Sequence, residues 1–280
     1  MAIILHNIQI PGFDISCTKK LSFNQSYRKA TMHSITWWSL IVLYTIATTN
    51  LASLAVSIYL HRDLTHKSIE LHPVSFGFFR FVIWFITGME PAEWKVVHLT
   101  HHRAPSDSIK DPHSPENEGM WRIVFFGVWY YVLACRELKA EIAEERKNCG
   151  DIWGRVPLRY CGVLLNLALN VLLWGPLPGL IVWAIQIYWI PFWAAGVING
   201  LGHGAQEKHE HTQDKSHDIL SGAPAFLQNI LNVITGGESR HHAHHLKASS
   251  ARFTTKDEFD WGYTVICALV KLRLAKILRA

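Results

Sequence analysis

Seventeen histidines in 280 residues are the feature of this sequence that most needs a chemical explanation. Many of them stand in four short clusters: HRDLTH at 61–66, HLTHH at 98–102, NGLGH at 199–203 and HHAHH at 241–245. Neutral imidazole is the commonest side-chain metal ligand in proteins. The clusters therefore predict a metal site assembled from distant parts of the chain.

The spacing within three clusters predicts which side chains converge. Residues at i, i+3 and i+4 lie on one face of a helix. We therefore expect two sets of three histidines to converge, and Asn199 to share a face with His203; the sets are His98, His101 and His102, and His241, His244 and His245. His242 points away from its set.

His61 and His66 are five residues apart and would diverge by about 140° on a regular helix. If both bind metal, the helix must end or be distorted between them, and Asp63–Thr65 is the expected place.

The predicted ligand set is too large for one ion: His61, His66, His98, His101, His102, Asn199, His203, His241, His244 and His245. A zinc site uses about four protein ligands, or three when it is catalytic. Ten donors suit two ions with four or five donors each. Imidazole binds iron, copper, nickel and zinc alike, so the donor type alone does not select the metal.

Apolar segments at about 34–60, 160–175 and 179–199 must position these clusters. About 20 apolar residues cross a bilayer, and Gly and Pro at 175–179 divide the later region into a hairpin. Its turn lacks Lys and Arg, which places it outside and the histidines on the cytosolic side.

The orientation of the first segment stays open. If it crosses once and ends in the cytosol, the basic residues Lys19, Lys20, Arg28 and Lys29 lie outside, against the positive-inside tendency. The alternative is a re-entrant hairpin that turns near Asn50.

The predicted fold is all-α: one integral-membrane domain over 1–280, with a cytosolic helical cap at about 61–155 and 200–280. Val74–Gly88 and Trp121–Ala134 are too short to span and are expected to be core or interfacial helices. Leu138–Asn148 is expected to be a charged, solvated helix.

Composition excludes other classes. Charged residues are 18% of the chain, against about 25% in ordinary soluble domains. The net charge of +5 forms no dense basic stripe, so nucleic acid is not an expected partner. The five cysteines make no CxxC pair and are interpreted as reduced thiols.

The clusters resemble the three histidine boxes of membrane fatty acid desaturases, specifically the acyl-CoA Δ9 (stearoyl-CoA-type) branch. HRDLTH, HLTHH and GESRHHAHH agree with the boxes in order and spacing, and NGLGH resembles a further ligand motif of that branch. The resemblance covers about 35–275. It implies two irons, O2 as co-substrate and a fatty acyl chain in a bent tunnel.

Electrons are expected from a separate ferredoxin- or cytochrome b5-like carrier with an NAD(P)H reductase, because the chain has no GxGxxG fingerprint. Trp94 and Trp193 are candidates to line the tunnel, or else interface anchors. Arg103, Lys110 and Arg155 are candidates to meet a phosphate-bearing head group.

Removing two hydrogens from unactivated methylenes requires a strongly oxidising cofactor. The leading interpretation is therefore a fatty acyl desaturase. A di-iron lipid hydroxylase would use the same boxes, and a histidine-rich metal transporter is a more distant alternative, which would favour ligands inside the spans.

Overall fold

The computed structural model describes residues 15–103, 111, 114, 118–155, 157–203, 216–254 and 258–279. It divides the chain into two compact units, residues 1–44 and 45–280. The first unit contributes the start of one long helix, α1 (Ile15–Ala55). The second unit carries the end of α1 and all the remaining elements described below.

Helix α1 is continuous through Asn50, which excludes the re-entrant turn considered from the sequence. It runs directly into a π-helical segment, π1 (Val56–Thr65), which carries the first histidine box. Since α1 shows no break, the first apolar stretch is one helix.

The elements of the histidine-rich region follow. Strand β1 (Ile69–Leu71) leads to α2 (Pro73–Val82), the π-helical segment π2 (Ile83–Thr87), α3 (Pro91–Arg103), α4 (Met120–Glu137) and α5 (Lys139–Cys149). The helices expected at Val74–Gly88, Trp121–Ala134 and Leu138–Asn148 are all present, with ends that differ by a few residues.

A helical hairpin follows, formed by α6 (Leu158–Trp174) and α7 (Pro176–Ile190). The turn is shorter than expected, because Gly175 alone breaks the helix with φ +86°. Pro176 and Pro178 belong to the first turn of α7, where a missing backbone N–H costs nothing. Helix α7 continues as π3 (Pro191–Ile198) and α8 (Asn199–Gly202).

The last elements are α9 (Ala225–Ile234), α10 (His241–Leu246), α11 (Trp261–Lys271) and β2 (Ala275–Ile277). Strand β2 pairs antiparallel with β1, with Glu70 opposite Lys276. This pairing ties the end of the chain to the segment that follows the first box, above a core that includes Ile58, Ile69 and Ile266.

Two helical stretches are long and apolar enough to cross a membrane, Ser34–Thr65 and Pro176–Gly202, and Leu158–Trp174 is a shorter apolar helix. With the histidine clusters they confirm the predicted all-α membrane fold class. The single-domain boundaries stay a prediction.

A buried amide cluster links α1 to the hairpin. The Nδ2 groups of Asn166 and Asn170 donate to Oε1 of Gln186 at 2.9 and 3.0 Å. Gln186 in turn donates to the Thr48 hydroxyl at 2.8 Å. Water is absent from a bilayer core, so these amides must satisfy one another. The cluster therefore fixes three apolar helices in one arrangement.

We expect Gln186→Leu to destabilise the chain by about 1 kcal/mol, because two buried amides lose their acceptor. The measurement is thermal unfolding in detergent, followed by tryptophan fluorescence. Leu172→Ala is the control, since Leu172 lies on α6 and is 83% exposed. Equal shifts for the two variants would show that the amide cluster is not specifically stabilising.

Candidate metal centre

Nine of the ten predicted ligands are histidines, and the structure gathers all nine into two groups. The ligand atoms within each group lie within 4.8 Å of one another; the first group is His61, His66, His98, His102 and His244, and the second is His101, His203, His241 and His245. Residues as far apart in the chain as His61 and His244, 183 positions, thus meet in one place.

Helices α3 and α10 each contribute histidines to both groups. The group that receives two histidines from one of these helices receives one from the other. On α3 the pair His98 and His102 faces the first group while His101 faces the second. On α10 the i, i+4 pair belongs to the second group, and His244 to the first. Residues i and i+4 lie nearly in line along a helix. Residue i+3 is rotated about the helix axis in the opposite direction from residue i. Each triplet therefore splits instead of converging on one point.

The π-helical geometry of π1 brings the two histidines of the first box together although they are five residues apart. Its hydrogen bonds join residues i and i+5, and the His66 amide donates to the His61 carbonyl at 3.0 Å. The two ring centroids are consequently 4.9 Å apart. The distortion begins at Val56, seven residues before the expected Asp63–Thr65.

The Nε2 atoms point at one another. In the first group, Nε2 of His244 lies 2.9 Å from Nε2 of both His61 and His102. In the second, Nε2 of His241 lies 2.7 Å from that of His203 and 3.1 Å from that of His245. With metal–nitrogen bonds of about 2.0–2.1 Å, neighbouring donors on one ion are roughly 3 Å apart. The donor set therefore fits one metal ion in each group.

Burial keeps these imidazoles neutral. Desolvation, with the neighbouring imidazoles as a further cause, lowers the pKa of His98, His102, His241 and His244 below the ordinary histidine value. A neutral imidazole keeps a lone pair on one ring nitrogen, which is the form that binds metal. The two groups are adjacent, because the rings of His102 and His245 stack with centroids 4.5 Å apart.

Two carboxylates orient ligand histidines through Nδ1, the ring nitrogen that faces away from the histidine group. Glu238 Oε2 lies 2.6 Å from Nδ1 of His61, and Asp111 Oδ1 lies 2.9 Å from Nδ1 of His101. An acceptor at Nδ1 fixes the tautomer, so that the lone pair lies on Nε2, and makes the ligand more basic. Burial opposes ionisation of Glu238, but His61 and the neighbouring Arg62 outweigh it and lower the pKa of this carboxyl.

Arg62, in the first histidine box, contacts residues on both sides of the third histidine box. Its buried guanidinium pairs with Glu238 at 3.3 Å and with Asp260 at 3.2 Å. The Nε group donates to the Ala251 carbonyl at 2.9 Å, and the ring of Phe253 lies 3.6 Å from the guanidinium carbon. Sequence reasoning gave these residues no role, because nothing in their spacing shows that they would meet.

Asn199 is the tenth predicted ligand and lies at the junction of π3 and α8. Its amide nitrogen donates to the carbonyls of Ala194 and Ala195, each at 3.3 Å. The side chain lines the cavity described next, and its role as a ligand stays a prediction. His242 lies in neither group, and its Nδ1 is 3.1 Å from the Ser216 hydroxyl.

A cavity of about 290 Å³ adjoins both histidine groups, near the lower end of the range for small-molecule sites. His61, His98, His101 and His241 belong to its polar wall. Most of the remaining wall is apolar and includes Val56, Trp94, Val97, Val128, Ile190 and Ala194. An apolar chain in this cavity would lie directly beside the imidazoles, without bulk water between them.

The predicted substrate-binding residues lie in different environments. Trp94 lines the main cavity, while Trp193 lines a second, much smaller one. Arg103 and Arg155 are exposed and line neither cavity. Lys110 lies outside the described residues. Among the described residues of the cavity wall, the cation is Arg159, which the sequence did not single out; it is paired with Glu93 at 2.8 Å.

We expect Glu238→Gln to weaken metal retention by about 10–100-fold, because His61 loses its anionic partner. The chain should also lose about 3 kcal/mol of stability, since Arg62 then keeps only Asp260 as counter-charge. Metal content after dialysis against a chelator measures the first effect, and Glu144→Gln is the control because Glu144 is 67% exposed. Undiminished metal content in Glu238→Gln would refute the orienting role.

Comparison with known proteins identifies a family. A family model described as fatty acid desaturase matches residues 35–254. The Arabidopsis thaliana Delta-9 desaturase-like 3 protein is 30% identical over 71% of this chain and 63% of its own length. The Anemone leveillei Acyl-CoA 5-desaturase AL21 is 26% identical over 97% of this chain and 78% of its own.

A further Arabidopsis thaliana relative, Delta-9 acyl-lipid desaturase 1, is 28% identical over 78% of this chain and 68% of its own length. The family match spans the first two boxes, the asparagine–histidine cluster and the third box, so it covers every residue of both histidine groups. This chain belongs to the fatty acid desaturase family.

Proposed function

We propose that this protein is an oxygen-dependent desaturase that introduces a double bond into a fatty acyl chain, at Δ9 and on acyl-CoA or an acyl lipid. The observation that carries the proposal is the pair of histidine groups in the wall of an apolar cavity. The relatives include proteins named as acyl-CoA and acyl-lipid desaturases, which supports the substrate class.

Two irons are the proposed metals, one held by His61, His66, His98, His102 and His244, and the other by His101, His203, His241 and His245 with Asn199. When bound, they would supply the oxygen-activating redox chemistry that no side chain provides. Iron is favoured over zinc because removing hydrogen from methylenes is an oxidation.

The protein itself would position the acyl chain and the metal ligands, and it would exclude water from the site. The apolar wall holds the acyl chain beside His98 and His101, and Glu238 and Asp111 keep the imidazoles in one tautomer. The balanced reaction is R–CH2–CH2–R′ + O2 + 2e⁻ + 2H⁺ → R–CH=CH–R′ + 2H2O. Its two electrons are proposed to come from a separate ferredoxin- or cytochrome b5-like carrier served by an NAD(P)H reductase.

We propose that the protein is embedded in the bilayer with the histidine groups on the cytosolic side. The turn between α6 and α7 has no Lys or Arg, whereas the charged helix α5 lies in the histidine-rich region. The positive-inside tendency then places the turn outside.

Expression in a host that lacks a desaturase, followed by mass spectrometry of its lipids, tests the activity. Wild type should produce a new monounsaturated chain, and His101→Ala should produce less than about 1% of it, because the second group loses a donor. His72→Asn is the control: His72 is exposed and caps α2, and asparagine keeps that cap. A hydroxylated product in place of an alkene would make the enzyme a hydroxylase.

We expect Ala194→Phe to shift the products towards shorter acyl chains by about tenfold in ratio, because overpacking a cavity wall costs about 1–3 kcal/mol. Chain-length profiles of the same lipid extracts measure this. Ala184→Phe is the matched control, since Ala184 is exposed on α7. An unchanged profile for Ala194→Phe would mean that the acyl chain lies elsewhere.

A further inference from the structure

Trp94 lies between the first histidine group and the main cavity. Its ring stacks on that of His98, with centroids 4.5 Å apart and planes inclined by 14°. It also meets the ring of His61 edge to face, at a centroid distance of 5.5 Å. The same side chain lines the main cavity and is half-buried. One indole therefore contacts two predicted metal ligands and also whatever occupies the cavity.

The position of His98 depends on this contact. Within the described part of the chain, no carboxylate bonds to the His98 ring, in contrast to the two ligands described above. Its Nε2 atom lies 3.1 Å from that of His66 and 3.0 Å from that of His102. Among the described residues, Trp94 is the ring partner of His98 that is not itself a histidine. Trp94 is therefore the side chain that orients this ligand.

A second aromatic ring supports the same group from a different position. The ring centroid of Phe253 lies 4.3 Å from that of His244 and 5.0 Å from that of His61. Phe253 is 1% exposed and is not among the residues that line the main or the smaller cavity. Both rings support the first group, but of the two only Trp94 also reaches the cavity.

The indole of Trp94 can transmit order from the cavity to His98. An imidazole binds a metal ion only while its lone pair points at the ion, so metal affinity falls when the ring can rotate. An acyl chain in the cavity would pack against the indole and restrict its motion. A restricted indole restricts the imidazole stacked on it. Two ligands that order the same element bind cooperatively.

We propose that Trp94 is a positioning residue that couples the cavity to the metal centre: an acyl chain packed against the indole tightens metal binding through His98, and bound metal tightens acyl binding by the same factor. The equality follows from thermodynamic linkage between two sites. This inference rests on the proposed function, which makes the main cavity the acyl site and the first histidine group a metal site.

Direct coverage of the histidines by the acyl chain is a different effect. His61 and His98 also line the cavity, so an acyl chain would slow the escape of an ion whether or not Trp94 is present. Coverage slows the entry of the ion equally and leaves its equilibrium affinity unchanged. Equilibrium constants therefore separate coupling through Trp94 from simple coverage.

The test measures acyl binding to the full chain by isothermal titration, with metal-free and Co²⁺-loaded protein in a steroid-based detergent that has no straight alkyl chain. Stearoyl-CoA and stearoyl-lysophosphatidylcholine are the acyl probes, so that either carrier can report. Visible absorbance of Co²⁺ confirms loading. We expect Co²⁺ to lower the Kd of at least one probe by about fivefold or more in wild type.

The variants assign this ratio of metal-free to loaded Kd. Trp94→Leu removes the ring and should bring the ratio to within about twofold of unity. Trp94→Phe keeps a ring over His98 and should retain a ratio of about threefold. Phe253→Leu should weaken Co²⁺ binding but keep the ratio, because Phe253 does not line the cavity. Trp129→Leu, which removes a 58% exposed indole on α4, should change neither. Circular dichroism checks that each variant is folded.

A flat ratio in wild type, or a ratio that Trp94→Leu leaves unchanged, would overturn the proposal. An equal loss in Phe253→Leu would also overturn it, because general loosening of the first group would then suffice. If neither probe binds wild type, or iron-loaded wild type forms no alkene from either with a reductant, the proposed function fails as well. If alkene forms while the ratio is flat, the coupling alone fails.

Discussion

Nine imidazoles with their Nε2 atoms turned towards one another are the constraint on which the rest of this structure depends. Where two ring nitrogens about 3 Å apart both carry lone pairs, they repel unless a cation lies between them, and burial disfavours a second proton on any ring. The arrangement is therefore costly without metal. Its stability must come from the surrounding packing and from Glu238, Asp111 and Arg62, which hold the rings from behind.

Departures from regular helix geometry are concentrated where this constraint acts. Segment π1 aligns His61 with His66, and π3 ends at Ile198, directly before Asn199. A π-helical turn weakens the backbone hydrogen-bond pattern and often occurs at functional sites. Here the buried ion pair of Arg62 with Asp260 and the packing of Phe253 support the distorted segment.

The elements that form the apolar cavity also carry the histidine groups. Helix α3 carries Trp94 in the cavity wall and His98 and His101 at the site. The pairing of β1 with β2 brings Arg279 beside the residue that follows the first box.

The sequence by itself determined which histidines are candidate ligands, where the apolar segments lie and which family the chain belongs to, because histidine spacing and hydropathy are local properties of the chain. Tertiary structure alone decided how α3 and α10 divide their histidines between two groups, and that Glu238 and Asp111 stand behind His61 and His101. Contacts of this kind join residues up to 183 positions apart. No local pattern encodes them, since they depend on how separate helices pack.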